Sequence, residues 1–177
     1  MEEIFDIYTR DGEYLGTKEK SICHGSNPGF YHKPAWIWII NDNNEILVQK
    51  RAACKKSHPN KWDIPSAGHV VAGETIIEGA IRETYEELGI KTKEEDYKFM
   101  FEYIYDSHYE LAQVYLLKLN LNIDDFKLRE TEVSEVKWLN YEEFKKLLFS
   151  DDFAPHDYAY RELVVKMFDE IINKKIR

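Results

Sequence analysis

Residues 68 to 90 begin Gly68-His69-Val70-Val71-Ala72-Gly73-Glu74 and continue Thr75-Ile76-Ile77-Glu78-Gly79-Ala80-Ile81. They end Arg82-Glu83-Thr84-Tyr85-Glu86-Glu87-Leu88-Gly89-Ile90. Apolar side chains recur at helical spacing at Ile77, Ala80 or Ile81, Thr84 and Leu88. Thr75-Ile76-Ile77-Glu78 has the form of a capping box, and Gly89 suits the left-handed residue that ends a helix. The spacing predicts a helix from Thr75 to Leu88. At 100° per residue, Glu83, Glu86 and Glu87 fall within about 100° of one another. Ile77, Ile81, Thr84 and Leu88 gather on another side.

Carboxylates this close repel by about 0.2–0.5 kcal/mol per exposed pair, more where partly buried. The arrangement gains nothing structural unless a cation offsets it. Oxygen ligands alone suit a hard divalent ion, Mg²⁺ or Mn²⁺, better than zinc. Arg82 lies beside them and can pair with one carboxylate. Taken alone, the glutamates suit a solvated acidic face equally well. Gly79, costly in mid-helix, points either to tight helix–sheet packing or to a ligand.

The surrounding residues decide between these. The stretch resembles the Nudix box: Gly68, five residues, Glu74, seven residues, Arg82-Glu83, an apolar position, one residue, Glu86-Glu87, one residue, Gly89, and an apolar residue at Ile90. The one departure is Thr84 at the first apolar position, where its methyl can pack. The resemblance implies a Nudix-type α/β/α sandwich whose box forms loop, helix and loop. It also implies an enzyme, a hydrolase cutting a diphosphate linkage in a nucleoside diphosphate derivative. By that resemblance Glu83, Glu86 and Glu87 hold the Mg²⁺ or Mn²⁺, Glu86 also helps activate water, Glu74 supports the site, and Arg82 orients a glutamate. The general base of such enzymes often lies outside the box. Glu110 and Glu132 are the candidates here, although each is equally suited to an ordinary exposed position.

Working outward, Lys50, Arg51, Lys55, Lys56 and Lys61 lie in a stretch without Asp or Glu between Ile46 and Trp62. In a chain of net charge −9, that patch suits phosphate recognition, with Arg51 fitted to bidentate contact. Solubilising surface charge is the plainer reading. The region from His32 to Glu74 also resembles the isopentenyl-diphosphate isomerase branch of the superfamily, through His32, Lys50-Arg51-Ala52, Lys55-Lys56, Pro59-Asn60-Lys61-Trp62 and Gly68-His69. That resemblance implies a possible second metal site at His32 and His69, with Glu110 as a third group, although a lone histidine is more often structural. The isomerase needs a cysteine immediately before the Gly-His pair, and this chain has Ala67. Alanine cannot pass the proton of an allylic isomerisation, and the intact box favours hydrolysis. An isomerase-like enzyme and a non-catalytic nucleotide sensor stand as alternatives.

The flanks predict an α/β fold with a mixed sheet. Ile4–Thr9 and Glu13–Thr17 read as strands joined by the turn Asp11-Gly12. Ala35–Ile40 and Glu45–Lys50 read as buried strands around Asn41-Asp42-Asn43-Asn44, and residues 51–74 as mostly loop. Strands follow at Phe99–Tyr105, Leu111–Leu119 and Val133–Leu139, and helices at Tyr141–Leu148 and Tyr158–Asn173. Most aromatic residues are expected in the core. With no linker or repeat, residues 1–177 read as one domain with residues 1–30 as a β extension and possible dimer contact.

The net charge argues against a nucleic-acid partner. The partner implied is a small phosphorylated molecule of the nucleotide-derivative class. Cys23 and Cys54 are too few for a disulfide framework. The start Met1-Glu2-Glu3-Ile4 lacks the form of a signal peptide, and no apolar run is long enough for a membrane span. A cytoplasmic protein is expected.

Overall fold

The computed structural model of the protein describes residues 2–174. Its central strand is β3 (Pro34–Ile40), buried at every position. Two-residue alternation along a strand sends successive side chains to opposite faces. Ala35, Ile37 and Ile39 enter one apolar cluster, and Trp36, Trp38 and Ile40 enter another. The sheet is therefore covered on both sides, as an α/β/α sandwich requires.

Strand β8 (Glu110–Lys118) runs parallel to β3, from Ala35 opposite Gln113 to Ile40 opposite Lys118. Strand β7 (Tyr97–Tyr105) pairs antiparallel outside it. On the other side β4 (Ile46–Arg51), β5 (Trp62–Asp63), β6 (Ser66–His69) and β9 (Val133–Leu139) add antiparallel ladders. The sheet is mixed, as expected. Residues 51–74 are mostly loop, as expected, and the short strands β5 and β6 stand within them. Both are too short to show a period in the sequence, and they form because the edges of β4 and β3 supply partners.

Helix α2 (Ile76–Leu88) packs on one face, with Ala80 and Leu88 against Ile37, Ile39 and Leu47. Helices α3 (Tyr141–Leu148) and α4 (Tyr158–Lys174) close the other, with Phe144, Val164 and Phe168 around Trp38. There the buried Trp38 indole donates to the equally buried Tyr160 hydroxyl at 2.9 Å. No helix among the described residues is long and apolar enough to cross a membrane.

The N-terminal hairpin pairs β1 (Ile4–Tyr8) with β2 (Tyr14–Glu19), and Gly12 takes the positive φ (88°) of its turn. A one-turn helix, α1 (Lys20–Cys23), follows. The hairpin is fastened at several points. Tyr8 and Tyr31 exchange backbone hydrogen bonds at 2.8 Å, and Ala72 N donates to Ile4 O at 2.7 Å. Phe5, buried with Ile7 and Cys23, is carried by this attachment to the edge of the functional site.

Candidate functional site

The capping box at the start of α2 forms as its sequence predicts. Thr75 Oγ1 accepts from Glu78 N, and Glu78 Oε2 accepts from Thr75 N at 2.7 Å. Gly89 ends the helix at φ 70°, with its N–H on Tyr85 O. Gly79 resolves to packing, because a methyl there would stand 2.8 Å from Val70 Cγ2. The buried face differs from the wheel. Ala80, Thr84 and Leu88 are fully buried and Glu87 nearly so, whereas Ile77 and Ile81 are only partly covered. Thr84 is satisfied by more than its methyl: the Tyr97 hydroxyl donates to its Oγ1 at 2.9 Å.

Two of the α2 carboxylates, those of Glu83 and Glu87, meet β6. Glu87 Oε2 accepts from Ala67 N at 3.1 Å. Glu83 lies over Gly68 so closely that any side chain at residue 68 would overlap it. Arg82 ties the group together. Its Nε and Nη2 hold both oxygens of Glu74 at 2.9 and 3.0 Å, its Nη1 donates to Glu83 at 2.6 Å, and its Nη2 also reaches His69 O. Glu74 is fixed in turn by Val71 N. Glu86, the most exposed of the three helix glutamates, is met by Arg129 at 3.2 Å. Burial first, and Glu83 second, push the Glu87 carboxyl up to about 8, and burial also raises Glu83. Carboxylates sharing a buried space resist ionisation, and a divalent cation offsets that resistance. This oxygen-only donor set fits such an ion.

Glu83, Glu86 and Glu87 border a cavity of about 590 Å³, which Lys55, Lys56 and Arg129 also line. Lys55 is ion-paired with Glu132, itself part of the lining. Glu132 thus stands near the helix carboxylates, while Glu110 lies elsewhere. Arg51 borders the cavity, but its guanidinium is engaged: Nη1 donates to Asp63 at 3.0 Å, and Nε and Nη2 donate to Ser57 O. Lys61 donates to Asp151 O and is not among the lining groups.

His32 and His69 do come together, with Glu110, in a second cluster. His32 Nε2 and His69 Nε2 lie 3.6 and 3.7 Å from Glu110 Oε1, beyond hydrogen-bond length. Both nitrogens are buried without a partner, and so is His32 Nδ1. His24, just after α1, completes the group, and one nitrogen from each of the three imidazoles lies within 4.8 Å of the others. Phe5 stacks on His69 at 4.9 Å and on His32 at 5.5 Å. Unpartnered buried nitrogens beside a carboxylate fit a divalent ion that accepts imidazole. His24 and Arg129 escaped the sequence reading. Neither lies in a periodic segment or near its spatial partners in the chain, so no local signal marks them.

Three comparisons bear on this geometry. The NUDIX domain family model matches residues 30–163. Nudix hydrolase 3 of Arabidopsis thaliana is 34% identical over 96% of this chain, which spans only 23% of that relative's length. An isopentenyl-diphosphate delta-isomerase of Gibberella zeae is 26% identical over 82% of this chain and 66% of its own length. In fold, the crystal structure of DR0079 from Deinococcus radiodurans superposes with a TM-score of 0.72 at 18% identity, covering 95% of this chain and 98% of that one. The chain belongs to the Nudix hydrolase family.

Proposed function

We propose that the protein hydrolyses a phosphoanhydride bond in a small organic diphosphate, a nucleoside diphosphate derivative or a related molecule, with Mg²⁺ or Mn²⁺ held by Glu83, Glu86 and Glu87. The observation that supports this best is the convergence of the three α2 carboxylates on one cavity that lysines also line. A divalent ion bound there neutralises phosphate charge and lowers the pKa of water.

The chain's own groups prepare for this. Arg82 and Glu74 fix the orientation of Glu83, the Ala67 N–H fixes Glu87, and Gly68 leaves room for the Glu83 side chain. Lys55 and Lys56 supply positive charge for the phosphates. Arg51 acts mainly by holding the 51–58 loop through Ser57 and Asp63. Lys61, bonded to Asp151 O, plays a lesser part. We assign the proton-accepting carboxylate outside the helix to Glu132, because it lines this cavity. His24, His32, His69 and Glu110 hold a second metal. Residues 1–177 act as one cytoplasmic domain in this reading.

The histidine cluster favours one other reading, an isomerase-like enzyme. Ala67 opposes it, having no proton to give at the junction of the two clusters. The test is a panel of nucleoside di- and triphosphates, nucleotide sugars, dinucleotides and isopentenyl diphosphate, with Mg²⁺, run for wild type beside Glu87→Gln. Anhydride cleavage that falls about 10²–10⁴-fold in the variant is expected. Turnover of isopentenyl diphosphate alone would transfer the assignment to the isomerase. Nucleotide binding without any turnover would make the protein a sensor.

A further inference from the structure

Next to the acidic cavity lies another of about 460 Å³, and the two share His24, Arg51, Ser57, Ala67 and His69 in their walls. The chain has six histidines. Five of them, His24, His58, His69, His108 and His156, line this second cavity. The sixth, His32, packs against His69 with ring centres 5.1 Å apart. Only three of the six belong to the cluster fitted to a metal. The other three, His58, His108 and His156, come from different loops and have no part in the chemistry assigned so far.

The charge of this wall separates it from its neighbour. Among the described residues, Arg51 is the one guanidinium or ammonium group in the lining, and its 3.0 Å contact with Asp63 neutralises it. Asp63 and Glu110 contribute carboxylates. Partial burial, and then Arg51, lower the His58 imidazole from its ordinary value. Away from the three-histidine cluster, among His58, His108 and His156, an anion entering here meets no free ammonium or guanidinium group.

Hydrogen-bonding capacity is nevertheless present. His156 Nε2 is fixed against Asp63 Oδ1 at 2.8 Å, and its Nδ1 is buried without a partner. Such a nitrogen is an unmet hydrogen bond that a polar group on a ligand can satisfy. Flat faces are present too: Tyr105 stacks on His108 at 4.2 Å, and Trp36 meets His156 edge-on at 5.5 Å. Two lining residues, His58 (φ 48°) and Tyr109 (φ 54°), hold left-handed backbone conformations. For a bulky aromatic residue that is unusual, and such strain concentrates at binding sites. The hydrogen bond from Tyr109 Oη to Asn27 Oδ1 at 2.7 Å pins that residue in place.

We propose that this histidine-lined cavity receives the organic group of the diphosphate substrate, and that it selects an uncharged, hydrogen-bonding group over an anionic or purely apolar one. The assignment rests on the hydrolase reading, with the diphosphate in the neighbouring acidic cavity and the organic group reaching past Ala67.

The test uses the full chain with Mg²⁺, labelled for NMR of the imidazole rings, and non-hydrolysable probes. These are methylenediphosphonate, α,β-methylene-ADP, its 3′-phosphorylated counterpart and a prenyl methylenediphosphonate. The nucleoside probe is expected to shift the ring signals of His58, His108 and His156, whereas methylenediphosphonate leaves them in place. It should bind about tenfold more tightly than methylenediphosphonate or the 3′-phosphorylated form. In His108→Ala, the ratio between the nucleoside and methylenediphosphonate affinities should fall towards one. Unmoved ring signals, equal binding of the 3′-phosphorylated probe, or tighter binding of the prenyl probe would each overturn the assignment while leaving the hydrolase reading intact. Failure of methylenediphosphonate itself to bind would overturn both.

Discussion

The two clusters that meet at His69 are built in opposite ways. Glu83, Glu86 and Glu87 lie within two turns of one helix, and their relative positions follow from helical geometry. His24, His32, His69 and Glu110 come from four separate parts of the chain, and only the folded sheet and the docked hairpin bring them together. The spacing of the first cluster along the helix survives any disturbance that leaves α2 intact, while Ala67 N and the open space at Gly68 set where its side chains lie. The second depends on the attachment of residues 2–30, since His24 follows α1 and Phe5 packs on the other rings. A locally encoded site and a tertiary one therefore share a border, and each can be broken separately.

The largest effect is expected from Gly68→Ala. A methyl at residue 68 overlaps the Glu83 side chain, so the carboxylate must leave its place although no ligand has been removed. Activity should fall about 10²–10⁴-fold, as for loss of a catalytic carboxylate. Overpacking should cost about 1–3 kcal/mol, read as a lower Tm. An active Gly68→Ala protein would show that Glu83 is not needed where the structure puts it.

Replacing His32 tests the other side of the comparison. His32 is buried with both ring nitrogens unpartnered, whereas His24 is exposed. In His32→Ala the bound Mn²⁺ or Zn²⁺, measured by metal analysis after dialysis, should drop by one equivalent. His24→Ala should weaken the same ion by about 10–100-fold. If both variants keep the metal content of the wild type, the histidine cluster holds no ion.

The same contrast explains what the sequence revealed. The box, its capping pair and its terminal Gly89 are local patterns, and each formed as expected. So did the buried strand β3 and the hairpin turn at Gly12. What escaped was non-local. The partner of Thr84 is Tyr97, on a different strand. Arg51 looked free for phosphate, yet Asp63 and Ser57 occupy its guanidinium, and nothing in the sequence shows that they fold onto it. His24 sits in a segment without period, and its value depends on where the hairpin docks. The aromatic residues followed the simplest expectation: Trp36, Trp38 and Tyr105 are core.

The smallest expected effect concerns the clasp that holds the hairpin turn. Arg10 reaches both oxygens of Asp106 at 2.8 and 2.9 Å, and the Tyr31 hydroxyl donates to the same carboxylate at 2.7 Å. The contact with Arg10, and then that with Tyr31, hold the Asp106 carboxyl down at about 2, against 3.8 for a free aspartate. A carboxyl depressed in the folded state contributes stability above its unfolded value, and the contribution is lost as pH falls through the folded one. The clasp should therefore act above about pH 4 and fade by about pH 2. Because the pair is exposed, salt and solvent weaken it. The Tm of Arg10→Gln should lie no more than about 2 °C below wild type at neutral pH, and the gap should close between about pH 4 and pH 2. A gap that stays constant across that window would mean that Arg10 acts by packing rather than by charge. A far larger gap, accompanied by loss of the second metal, would mean that this one clasp carries most of the hairpin's attachment to the histidine cluster.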